Sequence, residues 1–396
     1  MATADSIPEL SASSPPPTAD LLVLVATMLP DAFEGLLGQL TAVFPTEGLL
    51  IASESPVPAH VRPGLRIVSA PPAASSWSLT APDFQHALAI AQECHARAIL
   101  MLGPGSESLG AGGLRLLANA VLAGSTDLAV PRYSLPPHSG MINAAVLYPL
   151  TRSLFATRAR YPLAADLGLS IRMAQRLAAA AQRAIPTDQT EPLLWPVAEA
   201  AVAGFATEEF DVGPRSFPQP AGADVNSILA RVTGSLFADI EAKAAYWQRA
   251  RRLPPPRRML HEQPLVDAAS DVPRMVESFK FAYSNLLEIW SLVLPPHSLL
   301  GLKRLSAMNP AEFRMPDSLW ARIVYDFLIA YRLRTINRGH LLGALIPLYM
   351  GWVAGHMNLT AAGTSAERHI EDLAAAFEAD KPYVVARWRW PDRFNA

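Results

Sequence analysis

Residues 98–113 read Ala98-Ile-Leu-Met-Leu-Gly-Pro-Gly-Ser-Glu-Ser-Leu-Gly-Ala-Gly-Gly113. A short unbroken apolar run closed by glycine and proline is the pattern of a strand buried on both faces. Helical spacing resumes over 114–122. The Gly/Ser loop thus joins a strand to a helix, where the free N–H groups of a helix start attract anions. It is not a P-loop, because no Gly-Lys-Ser/Thr closes it, and GxGxxG spacing fails because Ser108 takes the third glycine place. A flexible turn is the plainer reading of the same residues.

The pattern repeats outward from this stretch. Further short apolar runs at 21–26, 49–52, 65–68 and 128–130 read as strands, the last closed by Pro131. Between them 31–43 has helical spacing, with Phe33, Leu36, Leu37 and Leu40 on one face, and 82–94 reads as a second helix. Strand and helix in alternation predict an α/β domain with a mainly parallel sheet. Helices at 141–156, 168–184 and 195–203 follow, then an edge strand at 204–212 and a long amphipathic helix over 224–252. Beyond it only helices are predicted, near 272–294, 317–334, 340–357 and 365–379.

Composition narrows the function classes. Of 396 residues, 51% are hydrophobic and 17% charged, which predicts extensive buried helix and some surface covered by a partner. The greasiest stretch, 341–354, is interrupted by Pro347 and falls short of the about 20 apolar residues that span a bilayer. A net charge of −2 offers no electrostatic footprint for nucleic acid. One cysteine, Cys94, excludes an internal disulfide and a multi-cysteine zinc site, and suits a reducing compartment. Residues 1–19 read as a disordered Ser/Pro/Ala tail without the basic start of a secretory leader. There are 36 prolines against 22 glycines. Their clusters read as punctuation between elements, since proline lacks the N–H a helix interior needs.

Local chemical motifs are few. The nine histidines form no HExxH and no i,i+4 pair, and no Gly-x-Ser-x-Gly nucleophile elbow exists. Arg249, Arg251, Arg252, Arg257 and Arg258 cluster at the predicted end of the 224–252 helix, as an anion site or as cations complementing the helix dipole. Arg387-Trp-Arg-Trp390 has the composition of a cation–aromatic surface, or of tryptophans packed onto the helices. Asp166, in Tyr161-Pro-Leu-Ala-Ala-Asp-Leu-Gly-Leu-Ser170, sits among small apolar residues that would let a ligand approach, or else caps the next helix.

Gly140-Met-Ile-Asn143, Tyr148-Pro-Leu-Thr-Arg152 and Pro162-Leu-Ala-Ala-Asp-Leu-Gly-Leu-Ser170 follow one another closely. Their succession resembles bacterial family-2-like glycosyltransferases related to mannosylglycerate and glucosyl-3-phosphoglycerate synthases, which carry G-x-I-T-N, Y-P-L-x-R-x-L and R-x-P-I-G-G-D-F/Y-G-x-S. Residues 312–327 and 345–353 resemble the helical C-terminal part of that group. The resemblance implies a GT-A fold, a Rossmann-like nucleotide-diphospho-sugar transferase domain, followed by an all-helical C-terminal region. The boundaries it implies are a tail over 1–19, the GT-A-like domain over 20–220 and the helical region over 221–396. It implies a GDP- or UDP-sugar donor, a small or glycan acceptor and a divalent metal, Mn or Mg, held by Asp-x-Asp to neutralise the departing diphosphate.

The metal ligands depart from that pattern. Where Asp-x-Asp would follow the 98–102 strand stand Gly103-Pro-Gly-Ser-Glu-Ser108, and Phe217 stands where the family places a metal-binding histidine. Leu193 replaces an aspartate before Trp195, with Glu191 nearby, and Thr27-Met-Leu-Pro30 replaces the polar donor segment after the first strand. By resemblance, Asp166 is the catalytic candidate, a general base or acceptor-orienting group. Gly103, Gly105, Ser106, Glu107, Arg152 and Arg215 would face the donor diphosphate, either arginine replacing the metal's charge. Gly140, Asn143, Gly168 and Glu191 would lie near the acceptor. Two functions stand: a cytoplasmic glycosyltransferase working without the usual metal, or a glycosyltransferase-like pseudoenzyme that binds or scaffolds. Self-association into a homo-oligomer is compatible with either.

Overall fold

The computed structural model describes residues 18–55, 64–72, 75, 77–136, 138–184, 191–217, 224–251 and 271–391. Most of the 1–19 tail and Arg252, Arg257 and Arg258 of the arginine cluster lie outside these. The chain opens as β1 (Leu21–Val25), α1 (Pro30–Val43), β2 (Leu49–Ser53), β3 (Arg66–Ser69), α2 (Ala81–Glu93) and β4 (Ala98–Leu102). It continues through α3 (Ala111–Leu122), β5 (Leu128–Ser134), α4 (Tyr148–Phe155), β6 (Asp166–Ser170), α5 (Ile171–Arg183), α6 (Pro196–Ala203) and β7 (Thr207–Pro214).

The seven strands form one sheet in the order β3-β2-β1-β4-β6-β5-β7. Pairs β1–β2, β1–β4, β2–β3 and β5–β7 are parallel; β6 runs antiparallel to β4 and β5. The residues of β1, β2 and β4 are buried throughout, as their apolar runs require once helices cover both faces.

Helices follow without a further strand among the described residues: α7 (Val225–Ala242), α8 (Ala244–Trp247), α9 (Val272–Val293), α10 (Pro296–Ser306), α11 (Asp317–Leu333), α12 (Arg338–Ala361) and α13 (Ala366–Arg389). An α/β domain with a mixed sheet, followed by a helical region, is therefore the architecture of the described residues. The helical core centres on Trp290, Trp320, Tyr325, Phe327 and Trp352, and also takes in residues 144–148, 150 and 154–155. No helix among the described residues is long and apolar enough to cross a membrane.

Four details correct the sequence reading. Residues 166–170 form β6 instead of the start of a helix, and Ser170, not Asp166, caps α5 by accepting from the Met173 N–H (3.3 Å). Strand β5 runs through Pro131 to Ser134. Proline is tolerated because β6 pairs only with Leu128 and Ala129, leaving that side of β5 without a partner at residue 131. The helix predicted over 224–252 breaks at Lys243, so Arg249 and Arg251 follow α8 instead of ending a long helix. Finally, α13 continues past the predicted end at 379, with Pro382 inside it.

Candidate functional site

The loop after β4 is held by a buried ion pair. Asp166 opens β6 beside the end of β4, paired with Leu102. Its Oδ2 accepts from Arg215 Nε (2.8 Å) and the Tyr133 hydroxyl (2.8 Å), and its Oδ1 from Arg215 Nη2 (3.2 Å) and the Gly103 N–H (3.2 Å). Arg215 donates further to the Pro104 carbonyl (2.8 Å) and the Ser216 carbonyl (2.8 Å). Both side chains of the pair are 0% exposed. Burial disfavours the guanidinium charge, but the Asp166 carboxylate outweighs it and holds the Arg215 pKa above its ordinary value. Burial, then the Asp166 charge, pushes the Tyr133 hydroxyl far up, so it remains a donor.

The glycines of the loop are required by this packing. A Cβ at Gly103 would lie 2.7 Å from the Ala165 carbonyl, and Gly105 has φ +83°. Ser108 Oγ donates to the Gly105 carbonyl (2.7 Å) and accepts from the Ser216 N–H (3.0 Å), tying the loop to the chain after β7. Ser106 is buried with its hydroxyl unpartnered, and Glu107 is exposed. Phe217 covers the pair: its ring lies 5.2 Å from the Arg215 guanidinium and 5.2 Å from the Tyr133 ring. Asp166 and Arg215, far apart in sequence, thus converge with loop 103–108. They converge as a neutralised pair sealed from solvent.

Beside this pair a cleft of about 1500 Å³ opens between the sheet domain and the helices. Ser108, Arg215, Ser216 and Phe217 line one end. Gly140 and Asn143 line it too, on the turn that enters α4. Gly140 has φ +66°, and the Asn143 amide donates to the Arg160 carbonyl (2.9 Å). The Tyr148 N–H bonds back to the Asn143 carbonyl, a π-type turn of the kind often found at functional sites. The opposite wall comes from α7, α9 and α12 and includes Ile228, Val232, Met275, Met350, Val353 and Met357.

A second depression lies at the carboxyl ends of β1 and β2, the crevice where open α/β sheets bind ligands. It is lined by Thr27, Glu54, Asp83, His86 and Pro104 among others, and holds about 20 Å³. That is room for about one water, which needs ~10–15 Å³. Among the described residues no group of three or more His, Cys, Asp or Glu side chains could hold a metal ion. The donor set for Mn or Mg does not fit here: Asp166 spends its charge on Arg215, and Phe217 offers no ligand atom.

Three implied site residues lie elsewhere in role. Arg152 is buried against α13, donating to Glu371 (2.5 Å), Glu378 (3.1 Å) and the Tyr148 hydroxyl (2.9 Å). Burial opposes its charge, and its anionic neighbours overcome that and raise its pKa. It ties the sheet domain to the helices and has no nitrogen left for a diphosphate. Gly168 is a packing glycine, since a Cβ there would lie 2.3 Å from the Leu117 carbonyl of α3. Glu191 is half-buried, and its carbonyl accepts from Arg231 (3.0 Å), whose guanidinium stacks on Trp77 at the cleft.

The structure also joins histidines that sequence spacing left scattered. Asp317 bonds His369 Nε2 (2.9 Å), and His369 Nδ1 bonds His356 Nδ1 (2.7 Å). The carboxylate accepts, so His369 carries a proton on Nε2, and a singly protonated His369 accepts from His356 at Nδ1. That leaves His356 Nε2 as a buried lone pair without a partner. Burial, with His369 and His138 nearby, lowers the His356 pKa to about 3. His138, on the cleft wall with φ +62°, bonds Thr360 (2.9 Å), and its ring meets that of His356 at 5.8 Å.

No protein-family model matches the chain, and no curated protein matches it in sequence. Solved structures do match at low likeness. The crystal structure of a mycobacterial protein is 15% identical over 56% of this chain and 74% of that one, with a TM-score of 0.38. Glucosyl-3-phosphoglycerate synthase from Mycobacterium tuberculosis, in complex with Mn²⁺, uridine diphosphate and glucosyl-3-phosphoglycerate, is 13% identical over 57% and 79%, with a TM-score of 0.39. The same synthase with phosphoglyceric acid gives 14% identity over 56% and 79%, and a TM-score of 0.38.

Proposed function

We propose that the chain is a glycosyltransferase-like binding protein that holds its ligand in the cleft between sheet and helices and does not carry out metal-assisted sugar transfer. One observation carries this reading. Asp166, the carboxylate to which the resemblance gives the chemistry, is fully buried against Arg215 and satisfied at both oxygens. A general base needs a free lone pair within hydrogen-bond reach of the proton it takes. A group replacing the metal needs uncompensated positive charge where the diphosphate departs. The buried pair supplies neither.

A metal-free transferase is the second reading, favoured by one feature. Ser108, Arg215 and Ser216 face the same cleft as Gly140 and Asn143, so a donor held by Gly103, Gly105, Ser106 and Glu107 would meet an acceptor there. The two readings part in a turnover assay. UDP-glucose and GDP-mannose are incubated with the full chain, with and without Mn²⁺, and released nucleoside diphosphate is measured. Release no faster than in buffer is expected. Turnover abolished by Asp166→Asn, in a variant that keeps its fold, would replace this reading with the second.

A further inference from the structure

We propose that the cleft takes a single-chain amphiphile, its aliphatic chain along the helical wall and an uncharged, hydroxyl-bearing head at the loop end. This rests on the cleft being the working site, and goes beyond it by naming the ligand class. Charge in the lining is sparse. Among the described residues, Arg215 and Asp224 are the only Asp, Glu, Lys or Arg in the lining. Arg215 is neutralised by Asp166, and Asp224 caps α7 through the Asn226 N–H. Among the described lining residues a strongly anionic ligand would meet no unpaired Lys or Arg, so its charges would be desolvated with little return.

The lining is also divided. Ser139, Asn143 and Ser216 supply neutral hydrogen-bonding groups at the loop end, whereas the helices supply mainly Ile, Val, Met and Tyr. Four methionines, Met141, Met275, Met350 and Met357, line the cleft. Unbranched thioethers adapt to a flexible chain better than branched side chains do. The volume of about 1500 Å³ exceeds the ~300–1000 Å³ usual for compact small-molecule pockets, which suits an elongated ligand. At the rim Phe217 and Val225 remain 40% and 54% exposed, apolar surface that such a chain would cover.

The test is calorimetry on the full chain with octyl, decyl and dodecyl β-D-glucoside, each below its micelle concentration. One site is expected, with affinity rising about tenfold for every two methylenes added. Met350→Lys places a charge on the apolar wall and should weaken dodecyl glucoside at least tenfold, while Met350→Leu leaves it unchanged. Absence of binding, or affinity independent of chain length, overturns the inference whether or not the lysine variant folds. The nucleotide-sugar assay is scored separately. Turnover alongside chain-length-dependent binding would remove the binding-protein reading and leave this inference standing. Failed glucoside binding without turnover would do the reverse.

Discussion

The two walls of the cleft are built on opposite principles. The sheet wall is polar and locked: a buried ion pair, a loop tied through Ser108, and glycines where no side chain fits. The helical wall is apolar and adaptable, with methionines and valines from helices that share a tryptophan-rich core. In a metal-dependent transferase the polar wall would carry free charge. Here its charge is spent internally, so the difference between the walls is one of hydrogen bonding against dispersion. Binding selectivity then depends on how far each wall keeps its character.

The comparison is most easily broken at the ion pair. Arg215→Met leaves Asp166 buried without its partner, and removing one member of such a pair costs about 3–5 kcal/mol. Urea unfolding should show that loss, and the double variant Asp166→Asn/Arg215→Met should recover part of it, as coupled sites do not add. A double variant as unstable as the sum of the singles would mean that the two do not act as a pair. Arg152→Met tests the tie between the two regions and should cost about 1.5–3 kcal/mol, because charge-assisted hydrogen bonds to Glu371 and Glu378 are lost. Gly168→Ala should cost about 1–3 kcal/mol through overpacking against α3. Unchanged unfolding midpoints would show that this approach is looser than drawn.

The smallest effect concerns the histidine chain beside the cleft. With a folded pKa depressed to about 3, His356 stays neutral where an unfolded histidine, with a pKa near 6.5, takes a proton. Its contribution to stability is therefore complete above about pH 6.5 and is lost as the pH falls towards 3, by up to ~1.4 kcal/mol per pH unit. Asp326, raised by burial to about 7, acts in the opposite sense, so global stability is a poor readout. Proton NMR of the His356 ring is the proper one. No shift between pH 7 and 5 is expected, and titration near 6.5 would mean that the ring is open to water.

Much of the fold was legible because burial on both faces writes itself as unbroken apolar runs. Residues 98–102 and 49–52 are such runs, and their strands appear within a residue of the reading. Strand β6 was hidden: Asp166-Leu-Gly-Leu-Ser170 is too short and too interrupted to show a period, and its antiparallel pairing is a tertiary fact. Helix α10, begun by Pro296, was masked by the proline pair read as punctuation. The site was legible only as separate residues. Asp166, Arg215 and the 103–108 loop were each singled out, but no local spacing foretold that the first two would neutralise one another. His138, His356 and His369 carried no signal, because their partners come from different elements.

On the proposed reading, bound ligand answers to the cleft and not to a metal-held diphosphate. Calorimetric titration of UDP-glucose into the full chain, in Mn²⁺ and again in chelator, tests it most directly. The same heats are expected in both conditions, with no saturable metal-dependent site. Saturable binding that appears only with Mn²⁺ would contradict it.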